Sequence, residues 1–284
     1  MLPFHADQIG SLIRPGSLAE AQAQADAGTL SAEELQKMQR AAIADVVAAQ
    51  QQHGVRALCS GEFDRKWYFH GFFEKLEGFR EVVPVPWELA RLSAPPIAAL
   101  RKAGKQYPMA AVCEGRIAYP AESPYLENWR MLKSCVPAEL VGECKFTMPP
   151  PCYFHLRLAP GKCYDTSVYA SDDEFFGDLA KAYQQELKVL YGDGCRNVQI
   201  DDPTLAYFCD SEMRESLKGD GVDPDKLFET YLKAHNDAIA DRPQGLHVGV
   251  HICRGMFFCS AFDHLRLRPT LRSEVFFEVV GSEI

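Results

Sequence analysis

His251 and Cys253 are the residues whose types and spacing most directly suggest chemistry. They lie in the stretch Gly245 to Gly255, GLHVGVHICRG, in which apolar residues alternate with other types. Such alternation is typical of a β-strand, and residues two positions apart on a strand point to the same face. An imidazole nitrogen and a thiolate sulfur on one face could bind one zinc ion. The alternative is a buried histidine beside an inert buried thiol, which is the commoner meaning of such a pair alone.

Carboxylates follow two further predicted strands. Glu62 comes shortly after a strand predicted over residues 55–60, and Asp201 and Asp202 come at the end of another. Each has an ordinary alternative: Glu62 could lie at the surface or cap a helix, and the two aspartates could form a turn before Pro203. Because the carboxyl ends of parallel strands meet at one edge of a sheet, we expect the carboxylates to lie near the histidine–cysteine pair. That combination suits an enzyme that binds a cationic amino group and activates sulfur.

The elements that must position these residues alternate between strands and helices. Strands are predicted over residues 5–11, 55–60, 109–113, 143–148, 197–201 and 246–251, and helices over residues 18–27, 31–53, 70–78, 95–104, 123–135, 171–191 and 224–239. The pattern predicts an α/β fold with a parallel sheet covered by helices. The chain of 284 residues suits a (β/α)8 barrel of the TIM type, and a doubly wound open sheet is the alternative. Without a repeat or a linker, residues 1–284 are predicted to form a single domain.

The composition favours small-molecule partners. The chain is 47% hydrophobic with a net charge of −9, and its basic residues form no run. Nucleic acids and anionic membranes are therefore disfavoured as partners, since both attract basic patches. No apolar stretch reaches the roughly 20 residues that span a bilayer, and the first residues lack the apolar core of a signal peptide. The sequence also lacks a glycine-rich phosphate loop. A cytoplasmic location is predicted.

The ten cysteines are spread along the chain without a CxxC pair. In a cytoplasmic protein this distribution predicts reduced thiols rather than a disulfide framework. Those in or beside predicted strands are expected to act as small buried hydrophobic residues; they are Cys59, Cys113, Cys144 and Cys195.

Several segments, in order along the chain, resemble the cobalamin-independent methionine synthase family. The resemblance is specifically to compact single-barrel members related to its C-terminal catalytic domain. It covers about residues 1–255. The matching segments are HADQIGSLIRP (5–15), GEFDRKWYFHGFFEKLEGF (61–79), YASDDEFFGDLAKAYQQELKVLYGDGC (169–195), NVQIDDPTLAYF (197–208) and HVGVHICRG (247–255).

The resemblance implies a (β/α)8 barrel and a zinc-dependent reaction. The family moves a methyl group from a methyltetrahydrofolate to the sulfur of homocysteine, which gives methionine. By matched position, His251 and Cys253 correspond to two of the zinc ligands. Zinc deprotonates a coordinated thiol, and the thiolate is the nucleophile. Compact members lack the N-terminal half of the family, which takes part in folate binding, so the methyl donor, of the folate type or another, is left open.

The resemblance also implies a site for the amino acid part of homocysteine. Glu62 and Asp201 correspond to carboxylates that hold the amino group. Ile9, Gly10 and Ser11 correspond to the segment that holds the carboxylate. Fixing the ammonium group would orient the sulfur for attack on the methyl carbon.

The tail over residues 256–284 departs from the family pattern, which continues with a glutamate and a final cysteine ligand. Glu278 is a candidate for the glutamate, although it follows His251 more closely than the family pattern does. A shortened or altered C-terminus is predicted. The leading hypothesis is a zinc-dependent homocysteine methyltransferase, and the alternative is a truncated, non-catalytic barrel that does not hold zinc. A third hypothesis, a barrel of the related uroporphyrinogen decarboxylase type, conflicts with the histidine–cysteine pair.

Overall fold

The computed structural model describes residues 7–252 and the backbone of residues 276–278. Cys253 lies outside the described residues. The described chain is a mixed α/β fold. Its helices are α1 (Gly16–Asp26), α2 (Ala32–Gln52), α3 (Pro95–Lys102), α4 (Leu126–Ser134), α5 (Tyr153–Arg157), α6 (Asp172–Gly192), α7 (Ser211–Gly219) and α8 (Pro224–Ile239). Its strands are β1 (Glu77–Val82), β2 (Ala110–Ala118), β3 (Lys145–Met148), β4 (Asn197–Asp201), β5 (His247–His251) and β6 (Phe276–Glu278).

A parallel sheet with the order β3-β4-β5-β6 forms the centre of the fold. In its register, Asp201 at the end of β4 is opposite His251 at the end of β5. Glu278 in turn occupies the position opposite His251 on the other side, in β6. The sheet therefore brings these three backbone positions to one edge, as the parallel arrangement predicts.

The helices that cover the sheet follow from local sequence signals. Ser171 is the N-cap of α6, and its side chain accepts a hydrogen bond from the backbone N–H of Glu174. Asp223 caps α8 in the same way, with Pro224 at the first helical position. The predicted apolar stripe of α6 is buried, and it consists of Phe175, Leu179, Ala182, Tyr183, Leu187 and Leu190. The two helices are thus confirmed within one or two residues of their predicted bounds.

Three predicted strands take a different form. Residues 7–11, the described part of the strand predicted over residues 5–11, form no strand. Residues 55–60 form no ladder, and the Gln50 side chain binds both the N–H and the carbonyl of Cys59, at 3.1 and 2.9 Å. The prediction over residues 109–113 is right in type but wrong in sheet, since β2 pairs antiparallel with β1 in a separate two-stranded sheet. Within residues 7–252 and 276–278 the strands do not close into a barrel. The eight-stranded (β/α)8 arrangement therefore stays a prediction.

The helices and the cysteines of the described residues can each be compared with the sequence. None of these helices is both long enough and apolar enough to cross a bilayer. The cysteines between residues 59 and 209 are free thiols. The four expected to pack as hydrophobic residues are 3% exposed or less, namely Cys59, Cys113, Cys144 and Cys195.

A buried carboxylate ties the connection before α4 to α6. Glu186 accepts hydrogen bonds from the Tyr119 hydroxyl at 2.6 Å, the Ser123 hydroxyl at 2.9 Å and the backbone N–H of Tyr125 at 3.0 Å. It is fully buried, and burial raises its pKa above the usual value even though these donors oppose the shift. Tyr125 packs against the guanidinium of Arg65, so this anchor also supports the position of Arg65.

The raised pKa of Glu186 predicts a pH-dependent contribution to stability. A carboxyl group whose pKa is higher in the folded than in the unfolded protein favours folding at low pH, and that contribution is lost as the pH rises through the folded-state pKa. We therefore expect Glu186→Gln to lose stability relative to the wild type near pH 4.5 and to recover part of it at pH 8. Urea unfolding of both proteins at the two pH values measures the difference. An unchanged difference would contradict the raised pKa.

Candidate active site

Glu62 lies directly beyond residues 57–61 and is buried, with only 3% of its surface exposed. Its backbone has a φ of 59°, in the left-handed region that non-glycine residues seldom occupy. One carboxylate oxygen, Oε1, accepts hydrogen bonds from Arg65 Nη2 at 2.8 Å and from Thr147 Oγ1 at 2.7 Å. The other, Oε2, is buried and has no hydrogen-bond partner in the described part of the chain. The surface interpretation of Glu62 is therefore wrong, and Oε2 is a buried hydrogen-bond acceptor without a partner among the described residues.

Arg65 also belongs to the candidate site, although from the sequence it could simply form a local ion pair with the adjacent Asp64. Its guanidinium donates to the carbonyl of Thr147 at 2.8 Å and forms a buried ion pair with Glu62. Burial lowers the pKa of Arg65, but the Glu62 carboxylate acts together with Tyr125 and Asp64, and their combined effect raises it above the usual value. The guanidinium also lies 5.5 Å from the centre of the Tyr125 ring. Arg65 therefore stays charged and fixes the orientation of Glu62.

The local ion pair that the adjacent residues Asp64 and Arg65 could form is not found among the described residues, where Arg65 pairs with Glu62. Asp64 instead accepts hydrogen bonds from Asn128 at 2.8 Å and from the Ser60 hydroxyl at 3.1 Å. Glu62 and Arg65 are three residues apart in a turn rather than in a helix, so helical spacing gave no sequence signal for this pair.

Asp201 lies at the end of β4 and is 5% exposed. Its Oδ1 accepts a hydrogen bond from Gln199 Nε2 at 2.6 Å. Burial raises the pKa of Asp201 well above its usual value, and the nearby negative charge of Glu62 raises it further. Two buried carboxylates close together form an environment that would favour a cationic group.

His251 lies half-buried at the end of β5, opposite Asp201 in the sheet. Burial lowers the pKa of its imidazole, and the positive charge of Lys145 lowers it further. The neutral imidazole is the form that binds a metal ion. Its predicted partner ligand, Cys253, is outside the described residues. The structure therefore places one of the two predicted zinc ligands beside the carboxylates.

The predicted carboxylate-binding segment lies over the same strand ends. Ile9 is 44% exposed, and its carbonyl accepts a hydrogen bond from Gln199 Nε2 at 2.9 Å. Gly10 is buried with a φ of 101°, and a Cβ atom there would lie 2.5 Å from Thr147 Cγ2. Glycine is therefore required at this position. Ser11 is exposed. The segment approaches β3 and β4 closely enough to contribute backbone groups to the site.

A second buried group, Cys152, Asp202 and His235, has donor atoms that lie within 4.8 Å of one another. Cysteine, carboxylate and histidine are possible metal ligands by type. These side chains are already hydrogen-bonded to one another, since Asp202 Oδ2 accepts hydrogen bonds from His235 Nε2 at 2.6 Å and from Cys152 Sγ at 3.3 Å. Asp202 Oδ1 accepts from the N–H of Thr204 at 2.6 Å, so the turn interpretation of Asp202 is confirmed. The backbone N–H of Asp202 donates to the carbonyl of His251 at 2.8 Å, which ties β4 to β5.

Among proteins of known sequence, the chain is similar to two uncharacterised proteins of Bacillus subtilis, YxjH and YxjG. It is 31% identical to YxjH over 255 residues and 32% identical to YxjG over 261 residues, in each case over 90% of this chain. The chain spans 63% of the length of each relative. It is also 27% identical over 198 residues to the methionine synthase of Saccharolobus solfataricus, covering 69% of this chain and 52% of that protein. No protein-family model matches the chain.

Solved structures agree with the sequence similarity. A provisionally assigned vitamin-B12-independent methionine synthase from Listeria monocytogenes superposes with a TM-score of 0.66 at 28% identity, over 90% of this chain and 67% of that one. The fold is also shared with a B12-independent methionine synthase from a Shewanella species, solved with selenomethionine, at a TM-score of 0.53 and 20% identity over 80% of this chain and 55% of that one. Vitamin B12 is cobalamin, and these findings confirm that the chain resembles the cobalamin-independent methionine synthase family.

Proposed function

We propose that this chain is a zinc-dependent methyltransferase that methylates the thiol of homocysteine, or of a similar amino acid thiol, with a donor of the folate type or another. The observation that carries the proposal is the pair of buried carboxylates, Glu62 and Asp201, at the sheet edge that also carries His251. The choice of reaction, methyl transfer to the thiol, is supported by the resemblance to methionine synthases.

The two carboxylates would bind the ammonium group of the substrate. Glu62 Oε2 lacks a partner in the described residues, and each hydrogen bond from an ammonium to a carboxylate is charge-assisted. Arg65 holds the other oxygen of Glu62, so the carboxylate cannot turn away from the ligand. Backbone groups of Ile9, Gly10 and Ser11 would bind the substrate carboxylate.

His251 and Cys253 would hold the zinc ion, with Glu278 as a third ligand. The support is the donor chemistry, imidazole with thiolate and carboxylate, together with the β5–β6 register that sets Glu278 opposite His251. When bound, zinc would lower the pKa of the substrate thiol so that it is deprotonated at neutral pH. The residues of the chain would supply the orientation: Glu62 and Asp201 fix the amino end of the substrate, so that its sulfur points toward His251.

We also propose that the sheet is part of a (β/α)8 barrel. The backbone N–H of Lys145 in β3 donates to the carbonyl of Leu58 at 2.8 Å. Residues 57–59 therefore lie along the free edge of β3 and extend the order of the sheet by one segment. A closed barrel requires the sheet to continue beyond β3 on one side and beyond β6 on the other, and residues 57–59 provide the start of that continuation next to β3.

Metal analysis of the purified protein tests the proposed function first. We expect about one zinc ion per chain in the wild type, since a catalytic zinc site binds a single ion. The variants Cys253→Ser and Glu278→Gln should each lose most of it. Cys135→Ser is the control, because that partly exposed thiol lies outside the site and should not affect zinc content. A folded wild type without zinc after growth in zinc would contradict the proposal and favour the non-catalytic alternative.

A further inference from the structure

We propose that Gln199 is a positioning residue that fixes the two halves of the substrate site relative to each other, with Lys145 setting its orientation. The inference rests on the proposed function, because it concerns how the amino and carboxylate groups of one amino acid are held at once. The sequence predicts no ligand or substrate role for Gln199 or for Lys145, although Gln199 lies in one of the matching segments.

One side-chain amide contacts both halves of the site. Gln199 Nε2 donates to Asp201 Oδ1 at 2.6 Å and to the carbonyl of Ile9 at 2.9 Å. An amide nitrogen has two hydrogens, so both are used. Asp201 is proposed to hold the substrate ammonium, and the segment that contains Ile9 is proposed to hold its carboxylate. The distance between these two binding elements is therefore set through Gln199.

Lys145 decides which way the amide points. Its Nζ donates to Gln199 Oε1 at 2.8 Å, to Asp7 Oδ2 at 2.6 Å and to the carbonyl of Gln8. A lysine ammonium only donates hydrogen bonds, so it can face only the oxygen of the amide. The amide nitrogen must then face Asp201. Through its hydrogen bonds to Asp7 and Gln8, Lys145 also connects the N-terminal segment to β3.

The sheet geometry makes this arrangement hard to replace. Gln199 and Asp201 are two positions apart on β4 and share a face, and Thr147 of β3 is the register partner of Gln199. Gln199 and Lys145 are 8% and 7% exposed. Polar side chains buried on the face of a sheet need partners, and here the partners are the substrate-binding elements themselves. An apolar residue would fill the space without fixing either element.

The affinity for methionine, the product of the proposed reaction, tests the inference by calorimetry. Methionine carries the amino and carboxylate groups but no thiol, so its binding reports on the amino acid site independently of thiol activation. In Gln199→Leu we expect the dissociation constant to rise at least about ten-fold with unchanged zinc content, because two hydrogen bonds that orient the site are lost. In turnover, KM for homocysteine should rise more than kcat falls. Gln39→Leu is the matched control, since Gln39 is equally buried at 8% exposure but lies on α2.

A second variant guards against loss of folding. Gln199→Glu preserves the side-chain volume and the contact with Lys145, but it removes the donor and sets another carboxylate against Asp201. It should weaken methionine binding more than the leucine variant does. Wild-type affinity in either folded variant would overturn the positioning role, as would an effect on thermal stability alone. If the wild type binds methionine and both folded variants bind it equally well, only the positioning role fails. If the wild type itself binds no methionine, the proposed function fails as well.

Discussion

Replacing Asp201 by asparagine is expected to lower kcat/KM for homocysteine about a hundred-fold, mainly through KM. The ammonium of the substrate would lose a charge-assisted bond in a buried site, and removing one partner of such a pair typically costs about 2–5 kcal/mol. A tenfold change corresponds to about 1.4 kcal/mol. The asparagine amide could also turn an N–H toward the ammonium, which repels it. Steady-state kinetics with varied homocysteine measures the effect.

The same variant should fold normally, which separates binding from stability. Asparagine removes a charge from a position that is 5% exposed and that Glu62 already disfavours electrostatically. Asp64→Asn is the matched control, because Asp64 is a nearby carboxylate bonded to Asn128 and Ser60 outside the proposed ligand contacts. We expect the control to retain nearly full activity. An Asp201→Asn enzyme with the wild-type KM would show that the carboxylate does not bind substrate.

Arg65→Leu is expected to destabilise the protein by about 3–5 kcal/mol, the usual cost of leaving one partner of a buried ion pair uncompensated. Both side chains of the pair with Glu62 are 3% exposed. The carbonyl of Thr147 would also lose its donor from Arg65. The free energy of unfolding from urea titration measures the change at neutral pH.

Two comparisons test the cause of that destabilisation. The exposed pair between Arg116 and Asp178 provides the control, because the Arg116 side chain is 60% exposed, and Arg116→Leu should cost about 0–1 kcal/mol. Adding Glu62→Gln to Arg65→Leu should recover much of the loss, since the uncompensated charge is then gone. A cost below about 1 kcal/mol for Arg65→Leu alone would contradict the importance of the buried pair.

Local sequence signals predict most of the helices and the strands β3, β4 and β5 of the parallel sheet, but not α5 or α7. The helix predicted over residues 70–78 is wrong, because Phe73–Lys75 form only a short 3₁₀ turn and β1 begins at Glu77. Helix α6 follows from an N-cap at Ser171 and an apolar stripe, both of which act within one or two turns. Strand β4 was predicted with its observed bounds, Asn197–Asp201, because its residues alternate and are followed by turn formers. The antiparallel strand β1 was missed, since the aromatic stretch before it resembles a helix and its pairing partner β2 begins 28 residues after β1 ends.

For the candidate site, the sequence by itself determined the residue types at the ends of β4 and β5, namely Asp201 and His251, and the carboxylate of Glu62 beyond residues 57–61. Parallel strands connected by helices must bring such positions to one edge, so their proximity follows from topology. Only the tertiary structure decided which side chains form hydrogen bonds and ion pairs with these residues. Gln199 was part of a matched motif but gave no sign of contacting Ile9, which lies 190 residues away along the chain. Hydrogen bonds and ion pairs act over a few ångströms, so their partners are fixed only when packing brings distant segments together.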